Sequence, residues 1–166
     1  MISHCMDRKL IGEILVERGL VTVAALENAL EYQKRLPDAY IGEILIQLGL
    51  VTEIDIVTAL VLQCNLPYIA ISKHMVDEAV IGLVPAEFAH CNRLIPLDRI
   101  GNVLSIVIVS PISEPLRVEV ERLTGCQVAL FISTSSEVEA ALQRFYPGFV
   151  PDCLPGSGRS VEKRGA

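Results

Sequence analysis

The side chains that ordinarily carry chemistry stand apart from one another in this chain. His4, His74 and His90 stand apart from one another, with no His/Cys/Asp cluster at ligand spacing, so no metal site is expected. No His lies near a Ser or Cys in a recognisable nucleophile motif, and Glu119 and Glu121 read as the exposed face of a helix, not as an acid/base pair. Catalysis is therefore not expected. Cys5, Cys64, Cys91, Cys126 and Cys153 are odd in number and scattered; they indicate neither a disulfide framework nor a C-x-x-C motif, and most read as small buried hydrophobes. Arg8-Lys9 and Lys34-Arg35 are the best candidates for a basic stripe, too short to track phosphates in a chain of net charge −6, and they read as solvated helix ends. Gly156-Ser-Gly-Arg-Ser160 lacks the Gly-Lys-Ser/Thr ending of a phosphate loop, and no G-x-x-x-x-G-K-[ST] occurs elsewhere. ATP hydrolysis is excluded on that ground.

What the sequence does contain is a duplication. Residues 10–33 align with residues 40–63, and half of the aligned positions are identical, including Ile-Gly-Glu-Ile-Leu, Gly-Leu-Val-Thr, Ala-Leu and a closing Gln. Two like surfaces suit a pseudosymmetric ligand or a structural pair. Each copy predicts two short helices. Ile11, Ile14 and Leu15 share a helical face, Gly19 supplies a left-handed stop, Thr22 caps the next helix, and Ile41, Ile44, Leu45, Gly49 and Thr52 repeat these signals. Thr52-Glu-Ile-Asp55 approximates a capping box.

Beyond Leu66-Pro67-Tyr68 the pattern changes. Ile69–Ser72 reads as a short extended piece, Val76–Leu83 as a helical turn or two, and Pro85–His90 as a short helix with Pro in its first turn. Arg93–Leu97 and Val103–Val109 read as strands around a hairpin turn at Asp98–Asn102; Glu114–Thr124 reads as a helix, Gln127–Ile132 as a strand and Ser135–Phe145 as a last helix. The fold class is thus α+β: a four-short-helix repeat pair over residues 1–65, a small α/β subdomain over 66–146, and a Pro/Gly/Ser-rich tail over 147–166 that reads as flexible. No apolar run approaches the roughly 18 residues of a membrane span, and the first residues lack a signal peptide's apolar run, so a cytoplasmic chain is expected.

The doubled motif resembles the N-terminal domain of type II secretion and type IV pilus assembly ATPases. Leu66-Pro-Tyr68, Pro85, Ile95-Pro-Leu97, Gly101-Asn102, Leu104, Pro111 and Gly125 extend the resemblance from about Lys9 to Leu142. It implies a helical bundle and an α/β subdomain of the kind that precedes a hexameric motor. It also implies a cyclic di-GMP site with one motif per ligand half, lined here by Leu10, Ile11, Gly12, Leu15, Leu26, Leu30 and Gln33, and by Tyr40, Ile41, Gly42, Leu45, Ile56, Leu60 and Gln63. Members that bind this ligand open each motif with Arg. Here Leu10 and Tyr40 occupy those positions, and no Lys or Arg occurs from Tyr40 to Gln63. Losing two charge-assisted hydrogen bonds of about 1.5–3 kcal/mol each lowers affinity by roughly two to four powers of ten. The same residues have plainer roles: Gly12 and Gly42 as helix contacts, the apolar residues as core, Gln33 and Gln63 as partners for helix-end carbonyls, and Tyr40 as a surface aromatic. The expected function is a non-catalytic regulatory or adaptor module that docks to an assembly ATPase or to a membrane-platform component, without nucleic acid and without membrane insertion. The alternative is a cyclic di-GMP receptor; no other cofactor is expected.

Overall fold

A computed structural model describes residues 9–37 and 39–149. The chain divides into two compact units, Met1–Tyr68 and Ile69–Ala166, each treated below in its own right.

The first unit holds four helices: α1 (Ile11–Glu17), α2 (Val23–Gln33), α3 (Ile41–Gln47) and α4 (Glu53–Cys64). Gly19 and Gly49 end α1 and α3 at φ +71° and +70°, a backbone that side-chain-bearing residues adopt at a cost. Thr22 and Thr52 then restart the chain as N-caps, accepting from the amides of Ala25 and Asp55. At Thr52 the box is complete, because Asp55 Oδ2 accepts from the Thr52 amide at 2.8 Å. The helices pair crosswise: α1 packs on α4, and α2 on α3. Leu15, Ala29, Ile44, Leu45, Ala59 and Leu60 are buried among them.

The second unit is built on a three-stranded sheet, β1 (Leu94–Ile100), β2 (Val103–Ile108) and β3 (Gln127–Ile132), in the order β1-β2-β3. β1 and β2 are antiparallel. β2 and β3 are parallel, and the crossover between them is α7 (Glu114–Thr124), capped by Ser113 and ended by Gly125 at φ +65°. Before the sheet come a 3₁₀ turn (Ile71–Lys73) and helices α5 (Glu78–Ile81) and α6 (Ala86–Asn92); after it comes α8 (Ser135–Phe145). α5, α6 and α8 pack on β1, and α7 packs on β3. Leu94, Ile95, Leu104, Ile106, Ile108 and Ile132 are wholly buried.

Two expectations change. The hairpin turn is not the five residues Asp98–Asn102: β1 runs to Ile100, with Asp98, Arg99 and Ile100 opposite Ser105, Leu104 and Val103, and only Gly101-Asn102 turns. Gly101 reaches φ +61°, and a polar Asp98-Arg99 on a half-exposed hairpin pairs as readily as an apolar dipeptide. A register shift between Pro96 and Asp98 leaves Leu97 as a bulge, and its carbonyl accepts from the Asp77 amide at 2.8 Å. Ile69–Ser72 is not extended throughout. The Ile69 amide does bond to the Ile132 carbonyl, but the Ile71 amide and Ser72 hydroxyl turn to Glu137, and the chain winds into the 3₁₀ turn. Cys64 and Cys126, half-buried and buried, form no disulfide, whereas Cys91 is disulfide-bonded, a cross-link that the scattered spacing did not reveal. Arg8, Cys5, Cys153 and residues 156–160 lie outside the described residues, as does the proposed tail beyond Phe149. No described helix is long and apolar enough to cross a membrane.

Candidate functional site

All fourteen candidate residues fall in the first unit, at equivalent places in the two repeats. Their surroundings differ from those of an open ligand groove. A methyl placed on Gly12 would meet Leu26 Cδ2 at 2.8 Å, and one on Gly42 would meet Ile56 Cγ2 at 3.0 Å. Each glycine therefore lets the first helix of its repeat lie directly against the second, and the space over it is already filled. Leu15 and Leu45 are fully buried and Ile56 and Leu60 nearly so; Ile11, Leu26, Tyr40 and Ile41 are half-buried; Leu10 and Leu30 are exposed. Leu15, Leu45, Ile56 and Leu60 are thus part of the unit's core.

The glutamines do not serve their own helix ends. Gln33 Nε2 donates to the Ala39 carbonyl at 2.9 Å, and Gln63 Nε2 donates to the Lys9 carbonyl at 2.9 Å. The acceptors are equivalent, since Ala39 and Lys9 each precede the first residue of a repeat. Sequence reasoning missed these two carbonyls because backbone acceptors carry no residue-type signal. It also missed Glu13, whose Oε2 accepts from the Leu10 amide at 2.8 Å; the signal available was its spacing, three residues after the N-cap Leu10.

Charge on the two halves is uneven. Lys9 pairs with Glu17 at 2.6 Å, and this hydrogen bond raises the lysine pKa above its ordinary value. Lys34 pairs with Glu31. The second repeat carries only acidic groups, Glu43, Glu53 and Asp55. Asp55 is held below the usual carboxylate range by hydrogen bonds from the Thr52 hydroxyl and amide, with a smaller contribution from nearby Arg18. Leu10 and Tyr40 bring no charge to the motif starts, and Lys9 beside the first of them is engaged by Glu17. The residues present do not fit a ligand with two phosphates well.

In the second unit an open cavity of about 480 Å³ lies between the 3₁₀ turn, the start of α5 and α8, lined by His74, Met75, Glu78, Glu137, Arg144 and Phe145 among others. One of its two lining acids is already occupied: Glu137 accepts from the Ile71 amide and the hydroxyls of Ser72 and Ser133. Burial pushes this carboxyl up, and the hydrogen bonds from Ser133, Ser72 and Ile71 outweigh burial and bring it below its ordinary value. Among the described residues no group of three His, Cys, Asp or Glu is placed to hold a metal ion.

Residues 64–151 match the MshEN domain family. The chain belongs to this family. The MshEN match begins at the last residue of α4, so it is carried by the second unit and not by the doubled motif. Structural likeness covers both: the solved structure of MshE with cdg is 29% identical with a TM-score of 0.72, over 84% of this chain and 100% of that one. The N-terminal domain of XpsE has the same fold at 22% identity and a TM-score of 0.66, over 81% of this chain and 92% of that one. No curated protein sequence matches. The α+β class and the kinship with N-terminal domains of secretion and pilus ATPases thus hold, and the MshEN relatives matched are the domain without its motor.

Proposed function

We propose that the chain is a non-catalytic, cytoplasmic docking module of a type II secretion or type IV pilus-like system, binding an assembly ATPase or the cytoplasmic part of a membrane-platform protein. One observation carries this reading. Of the sixteen large apolar side chains exposed among the described residues, eleven lie in the first unit, among them the equivalent pairs Leu20 and Leu50, and Tyr32 and Leu62. Such a density on so small a unit is what a protein-binding surface requires, and Tyr and Leu supply contact area at low entropic cost. The matching test is titration of the purified chain against the motor domain of the cognate ATPase and against the platform protein's cytoplasmic segment. Binding at micromolar affinity, weakened about tenfold or more by Tyr32→Glu with Leu62→Glu, supports docking through the repeats. Binding to neither, or binding indifferent to both changes, refutes it.

The second reading is retention of cyclic di-GMP, favoured by the intact two-fold frame of the repeats and the likeness to MshE, solved with cdg. Calorimetric titration separates the two. Micromolar binding by the unaltered chain would make it a receptor, whereas binding only after Leu10→Arg and Tyr40→Arg would mark an inherited frame whose ligand site has lapsed.

A further inference from the structure

We infer that Gln33 and Gln63 are reciprocal clasps: each, from the last turn of one repeat, sets the backbone that leads into the other repeat's first helix, so the residues presented at positions 10 and 40 are governed from the opposite repeat. The two hydrogen bonds have the same length, 2.9 Å, yet they span 6 residues in one case and 54 in the other. A bond enforced by a connecting loop would not recur where no such loop exists. The shared cause is the crosswise packing, α2 on α3 and α4 on α1, which brings equivalent groups together twice.

The acceptors explain why the clasp matters. The carbonyl of the residue just before an N-cap lies outside the helix and has no intrahelical donor. Leu10 and Tyr40 hold extended N-cap conformations, φ −66°, ψ 149° and φ −71°, ψ 140°. At the first of them the whole Lys9–Leu10 peptide unit is pinned: its carbonyl by Gln63 of the second repeat, its N–H by Glu13 of the first. The side chain that follows, Leu10, is 67% exposed. Its orientation is therefore set by two side chains, one of which belongs to the end of α4. Gln63 and Gln33 act on whatever binds positions 10 and 40 through the backbone they hold; in this they are positioning residues. The inference does not depend on which partner binds there.

Amide hydrogen exchange by NMR on the full chain tests it. The reporters are Leu10 and Ile14 in the first repeat, Glu43 and Ile44 in the second, and Asn65 at the end of α4, all with hydrogen-bonded amides. Gln63→Met is expected to speed exchange at Leu10 and Ile14 about five- to tenfold while leaving Glu43, Ile44 and Asn65 unchanged, and Gln33→Met to do the reverse at Glu43 and Ile44. Gln63→Lys, which keeps a donor of similar reach, should restore exchange to the unaltered rate. Should the Met chains fail to fold, Gln63→Glu keeps the length and polarity but cannot donate, and it is read by the same reporters. Acceleration confined to Asn65, acceleration spread evenly over the unit, or no change at Leu10 and Ile14 would each overturn the clasp.

Discussion

Gly42→Ala should cost more stability than Gly12→Ala, although the gap at Gly12 is the smaller. Both glycines stand second in a seven-residue helix, so the gain in helix propensity, at most about 1 kcal/mol for Ala over Gly, is the same in both variants and cancels in the comparison. What differs is the neighbour. At Gly12 the crowding atoms are the terminal methyls of Leu26, a half-buried side chain that can swing to another rotamer for about 0.5–1.5 kcal/mol. At Gly42 the nearest atom is Cγ2 of Ile56, bonded directly to its Cβ and fixed by the stiff χ1 of a branched side chain that is itself buried. Relief there requires α3 and α4 to separate, an overpacking penalty of about 1–3 kcal/mol. Gly12→Ala should thus lie within about 1 kcal/mol of the unaltered chain, and Gly42→Ala about 1–2 kcal/mol below it. Ile56→Ala alone opens a cavity worth about 2–5 kcal/mol, and the added methyl at position 42 should fill part of it. The double variant should therefore be less destabilised than the sum of the singles by about 1 kcal/mol or more. The chain has no Trp, so the assay is hydrogen exchange at the buried amides of α3 and α4 under native conditions, which reads the first unit alone. Gly12→Ala proving as costly as Gly42→Ala, or a strictly additive double variant, would refute the reasoning.

Two further perturbations follow from hydrogen bonds described above. Thr52→Ala removes the cap of α4 and should cost about 1 kcal/mol, while NMR titration of Asp55 should show its carboxyl returning toward its ordinary value of 3.8, because the Thr52 hydroxyl is the largest cause of its depression. Glu137→Gln leaves one of three donors facing an amide nitrogen and should cost about 1–2 kcal/mol, less than a fully buried charge would, since the site is partly open to water. As the folded carboxyl lies below its ordinary 4.5, its contribution is complete above that pH and is lost as pH falls through the lower folded value. Denaturation between neutral pH and about pH 3 should accordingly show a smaller acid-induced loss in the Gln variant than in the unaltered chain.

The helical repeats and α7 were legible in the sequence because they carry their own punctuation: Thr22 and Thr52 cap helices, and Gly19, Gly49 and Gly125 end them. Where no residue-type signal exists, the sequence was silent. The extension of β1 through Asp98-Arg99 is decided by pairing with Leu104-Ser105, and the 3₁₀ turn at Ile71 by a carboxylate 66 residues away. The site divides along the same line. Gly12 and Gly42 were recognisable as close approaches, but that Leu26 and Ile56 fill the space above them is a fact of packing. Gln33 and Gln63 were recognisable as polar residues at helix ends, whereas their acceptors lie across the repeat boundary.

That the same hydrogen bond forms across 6 residues and across 54 means the first unit is, in effect, a homodimer whose halves have been joined. A true homodimer cannot change one half alone, because every substitution appears twice and any new charge faces its own copy. Fusion removes that constraint. The frame stays two-fold while its two faces evolve as separate surfaces, and a partner that grips both need not be symmetric itself.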